Sequence, residues 1–272
     1  MKKRERVFCK LCQNCSFETV MKRVCVITPS FNAEKYIGEC VESVTASVTL
    51  DKFQVEHIIV DDGSTDGTRE IVQGMNRSGL TTIFLEKNAG QSKARNVGLK
   101  ATDSDYVFFL DADDVLFSNS LRYLFETGEK WAYGDFLRGD ESGKYEVGKD
   151  YYGWEFKNCE QVLYSMYTGW HFFQQNSLYD RKMLLGIDGF DENLKMAEDF
   201  DLATRLLLMG ILPQHISGPL YMHRNHARNL SVSHRAHPES HKGDVRKIYE
   251  KYKTKIQTAV GAKQVLAIEK WL

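Results

Sequence analysis

The chain has 272 residues, 42% of them apolar and 27% charged. That composition excludes an intrinsically disordered polypeptide and suits one large α/β domain with an appendage, or two smaller units. Thirty-six Lys and Arg stand against 37 Asp and Glu, a formal net charge of -1, which argues against a nucleic-acid-coating surface. No apolar run approaches the length of a bilayer-spanning helix.

The first 23 residues form a basic, Cys-containing leader. It opens MKKRER without the apolar core of a secretory signal. Cys9, Cys12 and Cys15 have metal-ligand spacing but no fourth ligand nearby, so they read either as a zinc or iron–sulfur run or as a reduced leader. A disulfide framework is not expected.

A patterned region follows. Residues 24–28 (VCVIT), stopped by Pro29, read as a buried strand. Tyr36, Ile37, Cys40, Val41 and Val44 recur at helical spacing. Residues 55–60 (VEHIIV) form the next strand, closed by Asp61-Asp62-Gly63-Ser64, and 66–75 the next helix. Strand 82–85, helix 92–100 and strand 106–110 (YVFFL) complete the alternation, and Asp111-Ala112-Asp113-Asp114 closes the last strand. Alternating strands and helices predict an α/β fold with a mixed, mostly parallel central sheet and helices on both faces. Beyond residue 125 the alternation weakens. Residues 132–160 read as loops or a small antiparallel insertion, and 199–209 as a helix. The segment from Lys242 is helical, with Val245, Ile248, Tyr249, Tyr252 and Ile256 in period. It carries eight Lys or Arg against three Asp or Glu. A basic amphipathic helix of this kind either packs on the domain or rests on an anionic membrane.

Loops that leave the carboxyl ends of parallel strands face the ligand crevice of open α/β sheets. Asp61, Asp62, Asp111, Asp113 and Asp114 all fall there. Carboxylates gathered at one edge repel, and a divalent cation such as Mg²⁺ or Mn²⁺ relieves them. Taken singly, each motif also reads as a turn or helix cap.

The stretches VITPSFNAEKYIGECVESV, IIVDDGSTDGT, NAGQSKARNVGL and YVFFLDADD, with Gly189-Phe-Asp-Glu192 and residues 196–201 (MAEDFD) downstream, together resemble a family 2 glycosyltransferase of GT-A fold. The resemblance covers most of residues 24–235 and is similar to bacterial enzymes of surface polysaccharide synthesis. It implies a nucleotide-sugar half at 24–126, an acceptor and catalytic-base half at 127–235 and a helical tail at 236–272. On that resemblance Thr28, Pro29, Ser30 and Glu34 would line the base and ribose pocket, and Asp62 would bind the uracil edge. Asp111 and Asp113 match the family's Asp-X-Asp motif around Ala112. Asp113 would hold the metal, and Asp111 would lie near the ribose or donor sugar. Gly90, Lys93 and Arg95 would border the nucleotide. Arg95 reads equally as a donor contact or as an ion pair that holds its helix to the acid loop.

Inversion at an anomeric carbon needs a base for the acceptor hydroxyl. The resemblance assigns that role to Asp199, with Glu198 positioning it or binding acceptor, and the reverse stays open. Acids at a helix start also serve as caps. His223 and His226 fall in a stretch that borders the diphosphate in this family, and His226 is the preferred metal or phosphate contact. Trp170 and His171 read either as core or as an acceptor wall. The expected activity is metal-dependent, inverting transfer from a UDP-sugar to a hydroxyl of a saccharide or lipid-linked acceptor. The expected location is cytoplasmic, with peripheral membrane contact an open possibility. A nucleotidyltransferase and a non-catalytic nucleotide-sugar-binding module are the rival readings.

Overall fold

The computed structural model describes residues 21–47, 53–146, 156–169, 176–194, 196–229 and 238–272. Its first strand, β1 (Lys22–Ser30), pairs in parallel with β2 (Phe53–Asp61) on one side and with β4 (Tyr106–Phe109) on the other. Val24, Cys25, Val26 and Ile27 are all fully buried, as expected for a strand covered on both faces. Strand β3 (Leu80–Phe84) extends the parallel set beyond β2. The chain thus runs outward from β1 to β3 and then returns to the other flank of β1. That reversal opens a crevice at the carboxyl ends of β1 and β4.

Helix α1 (Ile37–Ala46) covers one face, with Ile37 and Val41 against Ile59 and with Val72 of α2 (Thr68–Gly74). Helix α3 (Gln91–Ala101) covers the opposite face so closely that a Cβ on Gly98 would overlap Ile27. Glycine therefore sets the depth at which α3 sits, and with it the reach of Arg95 into the crevice.

The sheet continues past β4 instead of ending there. Strand β5 (Val115–Leu116) and helix α4 (Ser120–Glu126) lead into β6 (Trp131–Gly139), followed by α5 (Cys159–Tyr167). Then come β7 (Leu178–Asp180), α6 (Arg181–Leu185), α7 (Glu198–Leu208) and β8 (Gln214–Arg224). The strand order is β3-β2-β1-β4-β7-β6-β8-β5, with β7 antiparallel to both its neighbours and β6 parallel to β8.

Strand β6 corrects the expectation of loops or a small antiparallel insertion over 132–139, while 140–146 form a turn with an antiparallel bridge from Gly139 to Tyr145. Gly134, Asp135 and Arg138 interrupt its apolar run and disguise it. Asp135 is nonetheless buried, accepting from Gly218 N at 2.9 Å and lying 3.0 Å from His215 Nε2. Gly134 leaves room for Leu220. Cross-strand partners account for Gly134 and Asp135, while Arg138 is exposed.

The tail is two helices, α8 (Pro238–Ala259) and α9 (Ala262–Trp271). Val245, Ile248, Tyr249, Ile256 and Ile268 are buried in the main core with Val162, Tyr167 and Phe200. The periodic apolar face read from the sequence is thus interior. No described helix is long and apolar enough to cross a membrane. Residues 1–20 of the leader, Trp170, His171 and residues 230–233 lie outside the described residues, and Lys22 and Arg23, counted with the leader, open β1.

Candidate active site

The loops that follow β1 and β2 are stitched together before they form a surface. Asn32 takes a left-handed conformation (φ 51°), accepts from Thr65 N at 2.8 Å and receives Ser64 Oγ at its own N–H. Glu34 accepts from Gly67 N at 2.8 Å, so one oxygen of its exposed carboxylate holds the start of α2. The Thr28 hydroxyl lies within the sheet, 2.8 Å from His57 Nε2, where burial pushes the imidazole down to about 3. Ser30 is buried and Pro29 half-buried at the strand end. Beside them Phe31 is 47% exposed, a large apolar ring at the crevice that the pattern of residue types did not single out.

Asp62 is buried, and its two oxygens accept from Ala89 N and Gly90 N, each at 2.8 Å. It thereby fixes the turn into α3, where Gly90 has φ 95°. Each oxygen keeps a further lone pair. Lys93 pairs with Glu192 at 3.3 Å on the surface.

The acid loop leaves β4. Carboxylate oxygens of Asp111, Asp113 and Asp114 lie within 4.8 Å of one another. Their surroundings separate them. Asp114 is buried, close to His223 Nδ1 (3.3 Å), Asn176 Nδ2 (3.3 Å) and Arg224 N (3.1 Å). Burial pushes its carboxyl up to about 6. Burial alone would lower His223, but the adjacent Asp114 carboxylate holds it at about 8. Asp111 meets Arg95 Nη2 at 2.9 Å. Asp113 stays half-exposed, 2.8 Å from His226 Nε2 and 3.3 Å from Asn229 Nδ2. Oxygen donors with an imidazole beside them fit a hard divalent cation. Asp113 and His226 would hold it, with the exposed part of Asp111, while Asp114 anchors the loop to β8.

The Glu198–Asp199 pair opens α7 on the far side of the crevice. Glu198 is buried and accepts from Arg95 Nη1 at 2.9 Å and Gln91 Nε2 at 2.5 Å. Burial raises its carboxyl, as does the neighbouring Asp199. Asp199 is half-buried, and desolvation pushes it up to about 6. Glu198 is therefore held by α3, and Asp199 presents the more accessible carboxylate with the proton affinity of a base working near neutrality. Arg95, 1% exposed, joins the two centres: one guanidinium grips Asp111 of the acid loop and Glu198 of the base pair. The ion-pair reading of Arg95 is the one the geometry displays.

Residues absent from the sequence reading complete the site. The Tyr36 ring stacks on His226 with centroids 4.7 Å apart and an interplanar angle of 18°. Buried Arg224 also lies over the Tyr36 ring, 5.3 Å from its centroid, and donates to Asp113 O at 2.9 Å. Arg228 and Lys35 help line a cleft of about 190 Å³ next to His226. Tyr36 was legible only as a helix-face residue. The HRNH run signalled the loop but not the role of its arginine.

The sequence profile described as Glycosyl transferase family 2 matches residues 25–186. The uncharacterized glycosyltransferase EpsJ of Bacillus subtilis is 26% identical over 76% of this chain and 62% of its own length. The putative teichuronic acid biosynthesis glycosyltransferase TuaG of the same organism is 46% identical over 34% of this chain and 36% of its own. Among solved structures, Staphylococcus aureus TarS 1-349 in complex with UDP-GlcNAc superposes with a TM-score of 0.62 at 26% identity. That match covers 78% of this chain and 61% of TarS 1-349. The chain spans about three fifths of the length of EpsJ and of that TarS chain. With the strand order above, the likeness to TarS makes the fold GT-A. By the profile match over more than half its length, the chain belongs to glycosyl transferase family 2.

Proposed function

We propose that this chain is a metal-dependent, inverting glycosyltransferase that moves a sugar from a UDP-sugar to a hydroxyl of a saccharide or lipid-linked acceptor. The observation that carries the reading is the facing arrangement of an acid cluster at the end of β4 and the Glu198–Asp199 pair, bridged by Arg95. The UDP-GlcNAc complex of TarS, a structural neighbour, supports a uridine donor. Donor binding falls to residues 24–126, and base and acceptor binding to 127–235. Phe31 and Asp62 flank the place for the base, and Arg228 and Lys35 suit the diphosphate. A bound divalent cation supplies charge stabilisation for the leaving diphosphate. Asp199 takes the acceptor proton during attack, and Arg95 keeps Glu198 from competing for that role. Peripheral contact with the cytoplasmic face of a membrane would rest on exposed basic side chains such as Lys255, Lys263 and Lys270, because the tail's apolar face is interior.

Two measurements bear on this directly. Asp113→Ala is expected to abolish the Mn²⁺-dependent thermal shift produced by UDP, and a full shift in the variant would remove Asp113 as a ligand. Transfer is expected to rise with pH through about 6 and then level, because Asp199 acts as a base only when ionised. A rate flat from about pH 5 to 8 would contradict that assignment. The test of the function itself is a panel of nucleotide-sugars read for nucleoside diphosphate release. Pyrophosphate release would indicate a nucleotidyltransferase, and binding without release a non-catalytic module.

A further inference from the structure

Helix α8 does more than close the core. It touches the base-carrying segment at three places. Asp244, buried, accepts from Met196 N at 3.3 Å, two residues before Glu198. Lys251 Nζ lies 2.8 Å from Asp191 Oδ2 and 3.9 Å from Asp201 Oδ1. Asp201 is fully buried and follows Asp199 by two residues, and this same oxygen has no hydrogen-bond partner. Tyr249 packs edge-on against Tyr167, which packs edge-on against Phe200, the residue after Asp199. Beneath this, Arg205 pairs with Asp201 at 2.7 Å and donates to Ile187 O and Gly189 O. The segment between Asp191 and the base is therefore pinned near each end by one helix of the tail.

We infer that α8 is a strut that sets the position of the base, with Lys251 and Asp244 as positioning residues. Lys251 supplies a positive charge to two carboxylates on either side of Glu198 and Asp199. Its Asp191 contact is partly exposed, but Asp201 is fully buried, where solvent does not screen the loss of the ammonium. Without that charge Asp201 and Asp191 lose a shared anchor, and the segment between them gains freedom. A base displaced by about 1 Å loses much of its rate, while a nucleotide site on β1, β2 and β4 is untouched. The inference rests on the glycosyltransferase reading for its effect on rate, but not for its effect on structure.

The test uses the full chain and three variants: Lys251→Met, Lys251→Arg and Asp244→Asn. Hydrogen exchange follows the amides of residues 190–197, and UDP release from a panel of UDP-hexoses, with water as acceptor, follows turnover. Lys251→Met is expected to speed exchange in 190–197 and to lower kcat by about 10-fold or more. Donor KM and UDP affinity with Mn²⁺ should stay within about twofold, and Lys251→Arg should recover most of the rate. Asp244→Asn should speed exchange at Met196. Unchanged exchange in Lys251→Met overturns the strut. So does faster exchange with unchanged kcat, or a kcat loss matched by lost UDP affinity, which would mean general loosening. If the wild type releases UDP from no donor, the glycosyltransferase reading fails, and the exchange comparison still decides whether α8 holds the segment.

Discussion

Replacing Asp199 by Asn is expected to lower turnover by about 10²–10⁴-fold while UDP binds as before. Asn keeps the shape of Asp but takes no proton, and the proposed nucleotide and metal residues, Asp62 and Asp113, lie across the crevice. Steady-state UDP release beside titration calorimetry with UDP and Mn²⁺ separates the two quantities. Glu198→Gln should cost less turnover, and a larger loss there would move the base to Glu198. The same Asp199 variant carries a stability signature. Burial raises the Asp199 carboxyl to about 6, above its unfolded value. At about pH 8 the folded wild type therefore holds an unfavourably placed carboxylate that the Asn variant lacks. As pH falls through about 6 the folded wild type takes up a proton and the difference fades. Asp199→Asn should melt above the wild type at high pH, by a margin that shrinks as pH falls below about 6, and level with it only below about 4, the unfolded value. A lower melting temperature at every pH would contradict a desolvated base.

Arg95→Met is expected to be the most damaging single substitution in the site. The guanidinium is 1% exposed and holds Asp111 at 2.9 Å and Glu198 at 2.9 Å. Removing it leaves Glu198 buried and Asp111 half-buried without their common cation. Breaking a buried pair from one side costs about 3–5 kcal/mol, against a total stability of about 5–15 kcal/mol for a typical domain. Urea unfolding should show a loss of unfolding free energy of that size. Arg95→Lys should rescue little, because a single ammonium does not span two carboxylates on separate loops. Arg95 also lowers the proton affinity of both Glu198 and Asp199. Any residual activity in Arg95→Lys with a displaced ammonium should therefore need a higher pH than the wild type. A stable Arg95→Met variant with a normal pH profile would show that the bridge is incidental.

The donor half was legible because its physics is local. Strands β1 and β4 carry unbroken apolar runs and β2 ends in one at residues 58–60, and their acid-rich ends read as loops at a crevice. The acceptor half was less legible because its signals are long-range. Asp135 looks like a turn residue until His215 and Gly218 are found against it. The tail's apolar period was plain, but Gly261, which separates α8 from α9, was not read as a break, and the period could not say what the face packs on. In the site, the acids announced themselves by spacing. Tyr36, Arg224 and Phe31 did not, since stacking on an imidazole or lying over a ring leaves no trace in residue order. Residue order also gives no sign that the Glu34 carboxylate accepts from a backbone amide of the next loop.

The long-range polar contacts of the site also bear on how the chain reaches its native state. Arg95 finds Glu198 103 positions away, Asp113 finds His226 113 positions away, and Arg224 finds Glu39 185 positions away. Closing loops of that length is slow, and it brings no reward until both ends are in place. Until β8 docks, the acid loop carries its negative charges with few of their native cations, and it opposes its own compaction. Folding of this chain should therefore be late-committing, with the donor-side parallel strands assembled ahead of the crevice. Salt that screens the carboxylates should speed the final step more than the first.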